Sequence, residues 1–272
     1  MPDRFRGMLT YEGIDGEIQA YQARPQTEEP RPAVIVIHDI YGLSDHTRDV
    51  ANRFAQEGYV AFAPHLFSRP ELVNELTPDN IRQAMGFTMS LPRERMGDSA
   101  FIQEEMAKLP EESRAVVQRV SPLLMGGMPR DKMTQDLVKA VHFLEERRFV
   151  QAGKVVSVGF CFGGGMSFNL ACEAKLAGCV VFYGENPTPI EKVQNIPCPV
   201  LGLYGAEDLR INRSLDTLVK AMVDYKKDFE MRIYPNAAHA FFKDTDPNVY
   251  RKHASRDAWE RVLNFYKRVL EG

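Results

Sequence analysis

The stretch Val155–Ser167, VVSVGFCFGGGMS, decides how this chain is read: a β-branched run passes straight into a glycine-rich helix start with Cys161 at the corner. So sharp a strand-to-helix turn needs residues without bulk on either side of the middle one, and Gly159 and Gly163 hold those positions. Such a turn is an elbow that lifts the Cys161 side chain clear of the sheet. The positive helix terminus beneath it favours the thiolate, which is the nucleophilic form of the side chain. Gly163, Gly164 and Gly165 predict a close approach of that helix to the sheet. Taken alone, G-x-C-x-G reads equally well as a small buried thiol at a helix start.

Runs of the same kind recur along the chain at Ala33–Ile37, Val60–Ala63, Cys179–Phe182 and Val200–Tyr204, with a more alternating one at Glu230–Tyr234. Helical patterns separate them, at 45–56, 133–147, 164–176, 213–225 and 249–270. In the last, Tyr250, Ala254, Ala258, Val262 and Phe265 fall on one stripe. Alternating strands and helices predict an α/β fold, a mostly parallel sheet with helices on both faces, and AVIVI at 33–37 has the unbroken apolarity of a central strand. Glu17–Ala23 adds an antiparallel strand at the amino-terminal edge, because no crossover helix fits before the next strand. The segment Ser68–Arg130 interrupts the rhythm. It carries no strand-like run and includes Pro70, Pro78, Pro92, Pro110, Pro122 and Pro129. We read it as a helical cap inserted at about 68–130 into a single domain spanning 1–272, without a core of its own; a solvated helical spacer is the alternative.

Composition narrows the class of function. The 272 residues include 34 Lys plus Arg and 37 Asp plus Glu, a net charge of -3 with no basic run, which leaves little attraction for a phosphate backbone. No stretch is apolar enough to span a membrane, and the opening residues carry Asp3 and Glu12 where a secretory signal needs an apolar core. Four cysteines, none in C-x-x-C spacing, are too sparse for a disulfide scaffold and point to a reducing cytoplasm. Cys172, Cys179 and Cys198 read as packing thiols.

Two further residues give Cys161 its context. Asp208 lies on a loop after the strand Val200–Tyr204, at the carboxyl edge where open α/β sheets place their sites, and His239 lies on the loop before the final helix. Nucleophile, acid and histidine in that order match the α/β-hydrolase arrangement, with His239 as base and Asp208 as the group that holds it. With these residues the chain resembles the dienelactone hydrolase family, related to carboxymethylenebutenolidases. The likeness runs through His38-Asp39-Ile40-Tyr41-Gly42, Glu57-Gly58-Tyr59, Ala63-Pro64, Gly159-Phe160-Cys161-Phe162-Gly163-Gly164, Tyr204-Gly205 with Asp208, and Ala238-His239-Ala240-Phe241.

That resemblance implies an α/β-hydrolase fold and hydrolysis of an enol-lactone or related small-molecule ester through an acyl-enzyme, with no metal or organic cofactor. It also implies an oxyanion hole made by the backbone N–H groups of Ile40 and Phe162. Where the family has a Glu beside the nucleophile, this chain has Asp39. Where the family clamps a substrate carboxylate with two Arg side chains, one position here is Lys243, a point charge without the bidentate fork. Arg82 is the candidate for the other, with Arg93 and Arg95 as competitors. His38 and His65 read as structural partners after strands, and His46, His142 and His253 as surface residues on helices. No pair of histidines has metal-ligand spacing. Two other functions fit the same residues: a broader carboxylesterase or thioesterase using the same triad, and a ligand-binding protein that kept the fold without turnover.

Overall fold

The computed structural model describes residues 4–271, the side chains of Arg4 and Arg93 excepted. The chain forms two compact units, one from Met1–Leu66 with Asp131–Gly272 and the other from Phe67–Arg130.

The larger unit is built on one sheet of β1 (Arg4–Glu12), β2 (Glu17–Pro25), β3 (Arg31–Ile37), β4 (Val60–Pro64), β5 (Val150–Phe160), β6 (Gly178–Phe182), β7 (Val200–Gly205) and β8 (Phe229–Tyr234). Their spatial order is β1-β2-β4-β3-β5-β6-β7-β8. The strands from β4 to β8 in that order are parallel, while β2 pairs antiparallel with both β1 and β4. The helices in chain order are α1 (Asp45–Gln56), α2 (Pro78–Ser90), α3 (Ser99–Ala107), α4 (Glu111–Pro122), α5 (Arg130–Glu145), α6 (Phe162–Glu173), α7 (Leu209–Asn212), α8 (Leu215–Asp224) and α9 (Lys252–Glu271).

Ala33 through Ile37 are fully buried, as their unbroken apolarity requires of a strand covered on both faces. The alternation of β5 shows the two layers. Val156, Val158 and Phe160 share a core with Phe54 of α1 and Val262, Phe265 and Tyr266 of α9, whereas Ser157 points the other way and bonds Ser167 of α6 at 2.8 Å. The α9 stripe buries Ala258, Val262 and Phe265 as its spacing predicts, and adds Tyr266, whose hydroxyl donates to the Ser157 carbonyl at 2.8 Å.

Glu17–Ala23 is antiparallel as expected, but it is not the edge. The hairpin partner β1 lies outside it, and only Tyr11 among the described side chains of β1 is buried. A strand held by backbone pairing with its side chains in water carries no apolar alternation, so nothing in its sequence marks it.

In the smaller unit, α2 and α3 are capped by Thr77 and Asp98, whose side chains accept from the N–H groups of Asn80 and Phe101. Phe87, Leu91, Met106 and Val117 pack together there. This corrects the expectation that the segment lacks a core of its own; the contributing residues come from three separate helices, so no single periodic stretch displays them.

Candidate active site

Cys161 sits between the end of β5 and the first turn of α6 with φ 56° and ψ -116°, a left-handed conformation that a residue with a side chain rarely adopts. Its own backbone holds the strain in place. The Cys161 N–H donates to the Phe182 carbonyl at 3.0 Å, and its carbonyl accepts from Gly164 at 2.9 Å and from Gly165 at 3.3 Å.

The flanking glycines are required by contact as well as by conformation. A Cβ on Gly159 would lie 1.8 Å from the Gly163 carbonyl oxygen, and one on Gly163 would lie 2.3 Å from the Ile37 oxygen. Gly164 is as tightly placed, its Cβ meeting the Phe182 oxygen at 2.6 Å. Gly165 is not: the nearest atom would be 3.4 Å away, so the expected close approach rests on two of the three consecutive glycines.

Asp208 follows β7 and caps α7, accepting from the Ile211 N–H at 3.3 Å, and is almost wholly buried. His239 lies on the loop after β8, with Nδ1 2.5 Å from Asp208 Oδ2 and with Cys161 as its other electrostatic partner. The three residues that chain order grouped are therefore brought together, with His239 bonded to Asp208. Burial works against a charge on His239, but the hydrogen bond to Asp208 and the interaction with the Cys161 sulfur outweigh it and push the pKa up to about 10. An imidazolium held in this way stabilises a neighbouring thiolate.

The other three thiols differ. Burial pushes Cys172 up to about 12 and Cys179 to about 11, and raises Cys198 further still.

Asp39 and Lys243 meet directly. Asp39 Oδ2 accepts from Lys243 Nζ at 2.7 Å, Asp39 Oδ1 accepts from the Tyr41 N–H at 2.8 Å, and the ammonium lies 4.1 Å from the centre of the Tyr41 ring. Ile40 occupies the turn between Asp39 and Tyr41, and Phe162 is the first residue of α6, where a helical N–H has no acceptor within its own helix. Arg82 belongs to the smaller unit, exposed on α2 and paired with Asp79. The side chain of Arg93 lies outside the described residues, and Arg95 is exposed and bonded to Asp98 at 2.6 Å.

His38 is buried as a structural partner: its ring bonds the Asp39 carbonyl at 2.7 Å through Nδ1 and accepts the Leu66 N–H at 3.1 Å through Nε2, which fixes a neutral tautomer. Burial lowers its pKa. The reading of His46 as a surface residue is corrected. It is buried at the start of α1 with its ring against Phe160 and Phe242, and Nδ1 lies 3.2 Å from Asp244 Oδ1. Arg53, two turns further along the same face of α1, holds the other Asp244 oxygen. Burial disfavours the Asp244 charge, yet Arg53 and His46 more than offset this and lower its pKa. The residue next to Lys243 is thus tied to α1.

Sequence reasoning missed Tyr183 and Gly184 here, and named Gly205 only within the motif Tyr204-Gly205. Tyr183, directly after β6, has φ 40°, is buried, and places its ring 5.1 Å from that of His239. Gly184 and Gly205 leave room for backbone: a Cβ on Gly184 would lie 2.4 Å from Gly164, and one on Gly205 2.3 Å from the Ala237 carbonyl oxygen in the histidine loop. The available signal was the pattern at Phe182-Tyr183-Gly184 and Tyr204-Gly205, an aromatic and a glycine closing each of two neighbouring strands. Among the described residues no cluster of three or more His, Cys, Asp or Glu is placed to hold a metal ion.

Comparison with known proteins bears on the family and the fold. The family model described as "Dienelactone hydrolase family" matches residues 18–270. A protein of Saccharolobus solfataricus named "Putative carboxymethylenebutenolidase" is 42% identical over 261 residues, covering 96% of this chain and 98% of its own. One of the same name from Escherichia coli K12 is 28% identical, covering 91% of this chain and 81% of its own. Among solved structures, one titled "Crystal Structure of Putative Dienelactone Hydrolase from Klebsiella pneumoniae subsp. pneumoniae MGH 78578" superposes with a TM-score of 0.74 at 24% identity, covering 97% of this chain and 99% of that one. An α/β hydrolase, MGS-M1, from a deep-sea metagenome library superposes at 0.60 and 13% identity over 98% of this chain and 100% of its own.

Proposed function

The chain belongs to the dienelactone hydrolase family and has the α/β-hydrolase fold, and from that premise we propose that it hydrolyses a small lactone or ester with Cys161 as nucleophile, His239 as acid and base, and Asp208 as the carboxylate that orients His239. The observation that carries this reading is the 2.5 Å contact of His239 with Asp208, on a histidine that interacts with Cys161, which is itself held on a strained turn.

In this mechanism the Cys161 thiolate attacks the acyl carbon, and the oxyanion that forms is met by the N–H groups of Ile40 and Phe162. The imidazolium of His239 delivers its proton to the departing oxygen as the C–O bond breaks, leaving a thioester on Cys161. Water then attacks the thioester while His239 takes a proton from it, and the thiolate leaves with the carboxylic acid released. Asp208 holds the ring orientation throughout. Every step uses side chains and backbone of this chain. The unit Phe67–Arg130, which leaves the chain after the carboxyl end of β4, serves in this reading as the cap, and four free cysteines suit the cytoplasm.

Lys243 is the proposed contact for a substrate carboxylate. One observation favours the broader carboxylesterase or thioesterase reading: the Lys243 ammonium is already matched by Asp39, which lowers its attraction for a second carboxylate. A panel of a carboxylated lactone, a neutral aryl ester and a thioester, run with wild type and Cys161→Ala, separates these. Loss of all turnover in Cys161→Ala together with preference for the lactone acid supports the leading reading. Equal rates on neutral esters move it to the broader one, and turnover that survives the substitution rejects Cys161 as nucleophile.

A further inference from the structure

The strand β8 ends the sheet, and its outer edge has no partner among the described residues. Proteins ordinarily blunt such an edge with charged side chains, Pro or a bulge. Here the strand reads Phe229-Glu230-Met231-Arg232-Ile233-Tyr234, with no Pro and with one acid and one base whose charges a partner strand can balance. The carbonyls of Asp228 and Tyr234 both point inward to β7, accepting from Val200 and Ala206 at 2.9 Å. By the alternation of a strand, the backbone groups of Phe229, Met231 and Ile233 therefore point outward. Glu230 bonds Arg268 and Tyr234 bonds Asp257, both on α9, so the even-numbered side chains lie on the α9 face. Met231 and Ile233, on the opposite face, are each 39% exposed.

We propose that β8 pairs antiparallel with β8 of a second copy of this chain about a two-fold axis through Met231. Three features select this partner and this register. Placing Met231 opposite itself puts Phe229 opposite Ile233, and all of these residues have the outward N–H and C=O groups that a hydrogen-bonded antiparallel pair must exchange. The same register sets Glu230 opposite Arg232 of the other copy, twice by symmetry, at the non-hydrogen-bonded positions where facing side chains come closest. The pattern apolar, acid, apolar, base, apolar is thus self-complementary about its centre, as an isologous interface requires. The helix α8, the crossover that delivers the chain to β8, also exposes apolar side chains, Val219 and Val223, the latter 69% exposed, one turn apart.

Sedimentation equilibrium over a concentration series, on the full chain, tests the proposal with charge variants. A dimer is expected. Arg232→Glu and Glu230→Arg should each raise its dissociation constant at least about tenfold by setting like charges opposite each other, while the double exchange recovers most of the loss. Met231→Cys, which leaves the charges untouched, should form an inter-chain disulfide under mild oxidation, because opposed residues at a hydrogen-bonded pair lie within disulfide reach. Ester hydrolysis by each variant checks that the chain remains folded. A monomer at every concentration overturns the proposal, as does a dimer that ignores both charge reversals or leaves the Met231→Cys thiols unlinked.

Discussion

At Cys161 the thiol, the strain and the histidine coincide, whereas Cys172, Cys179 and Cys198 are buried and held toward the neutral form. Limited iodoacetamide treatment near neutral pH should therefore label Cys161 first, and peptide mapping that finds another cysteine labelled first contradicts the elbow assignment. His239 keeps its proton up to about pH 10 through Asp208 and Cys161, so activity that depends on the imidazolium should fall on the alkaline side as that proton is lost. Asp208→Asn removes a charge that stabilises the imidazolium. The alkaline limb of kcat/KM should shift to lower pH and kcat should fall by about 10³–10⁴-fold, and a limb that stays in place removes Asp208 from the relay. At Lys243 the pair with Asp39 is largely buried, so Lys243→Met strands a carboxylate and should cost roughly 3 kcal/mol in a denaturation series. Asp39→Asn added to it should restore most of that stability. The substrate role of Lys243 is then read from KM in the double variant against Asp39→Asn alone, with a larger rise for a carboxylated lactone than for a neutral ester.

The elbow is the element on which the rest depends. Gly159→Ala forces a Cβ onto the backbone of α6 and should abolish soluble, cooperative folding, while Gly165→Ala meets only ordinary contacts in a helix and should change stability by less than about 1 kcal/mol. Thermal melts of the two variants check this, and a well-folded Gly159→Ala protein would show that the close approach is not required. The elbow was legible because strand apolarity, paired glycines and a helix start fall within one short stretch. Central strands such as β3 were legible for the same local reason. The β1 strand was not, since its pairing is carried by backbone and its side chains face water. His46 was misread because a helical position shows burial only through its neighbours, and here they come from β5 and the loop carrying Phe242 and Asp244.

For the whole molecule, chain order alone grouped Cys161, Asp208 and His239, because in a parallel sheet the carboxyl ends of successive strands share one edge. What order could not show was the fit between those loops. Tyr183, Gly184 and Gly205 set how closely the loops after β5, β6, β7 and β8 approach, and that depends on packing between strands far apart in sequence. Lys243 and Asp39, 204 residues apart, were brought to one site only by the family resemblance, and the ion pair between them depends on packing. The central claim, covalent catalysis at Cys161, is tested most directly by rapid quenching of the protein with a slowly hydrolysed aryl ester, followed by intact-mass and peptide mass spectrometry. One acyl group per chain, carried as a thioester on Cys161 and absent from Cys161→Ala, is the predicted result; turnover with no adduct, or with the acyl group on another residue, would contradict it.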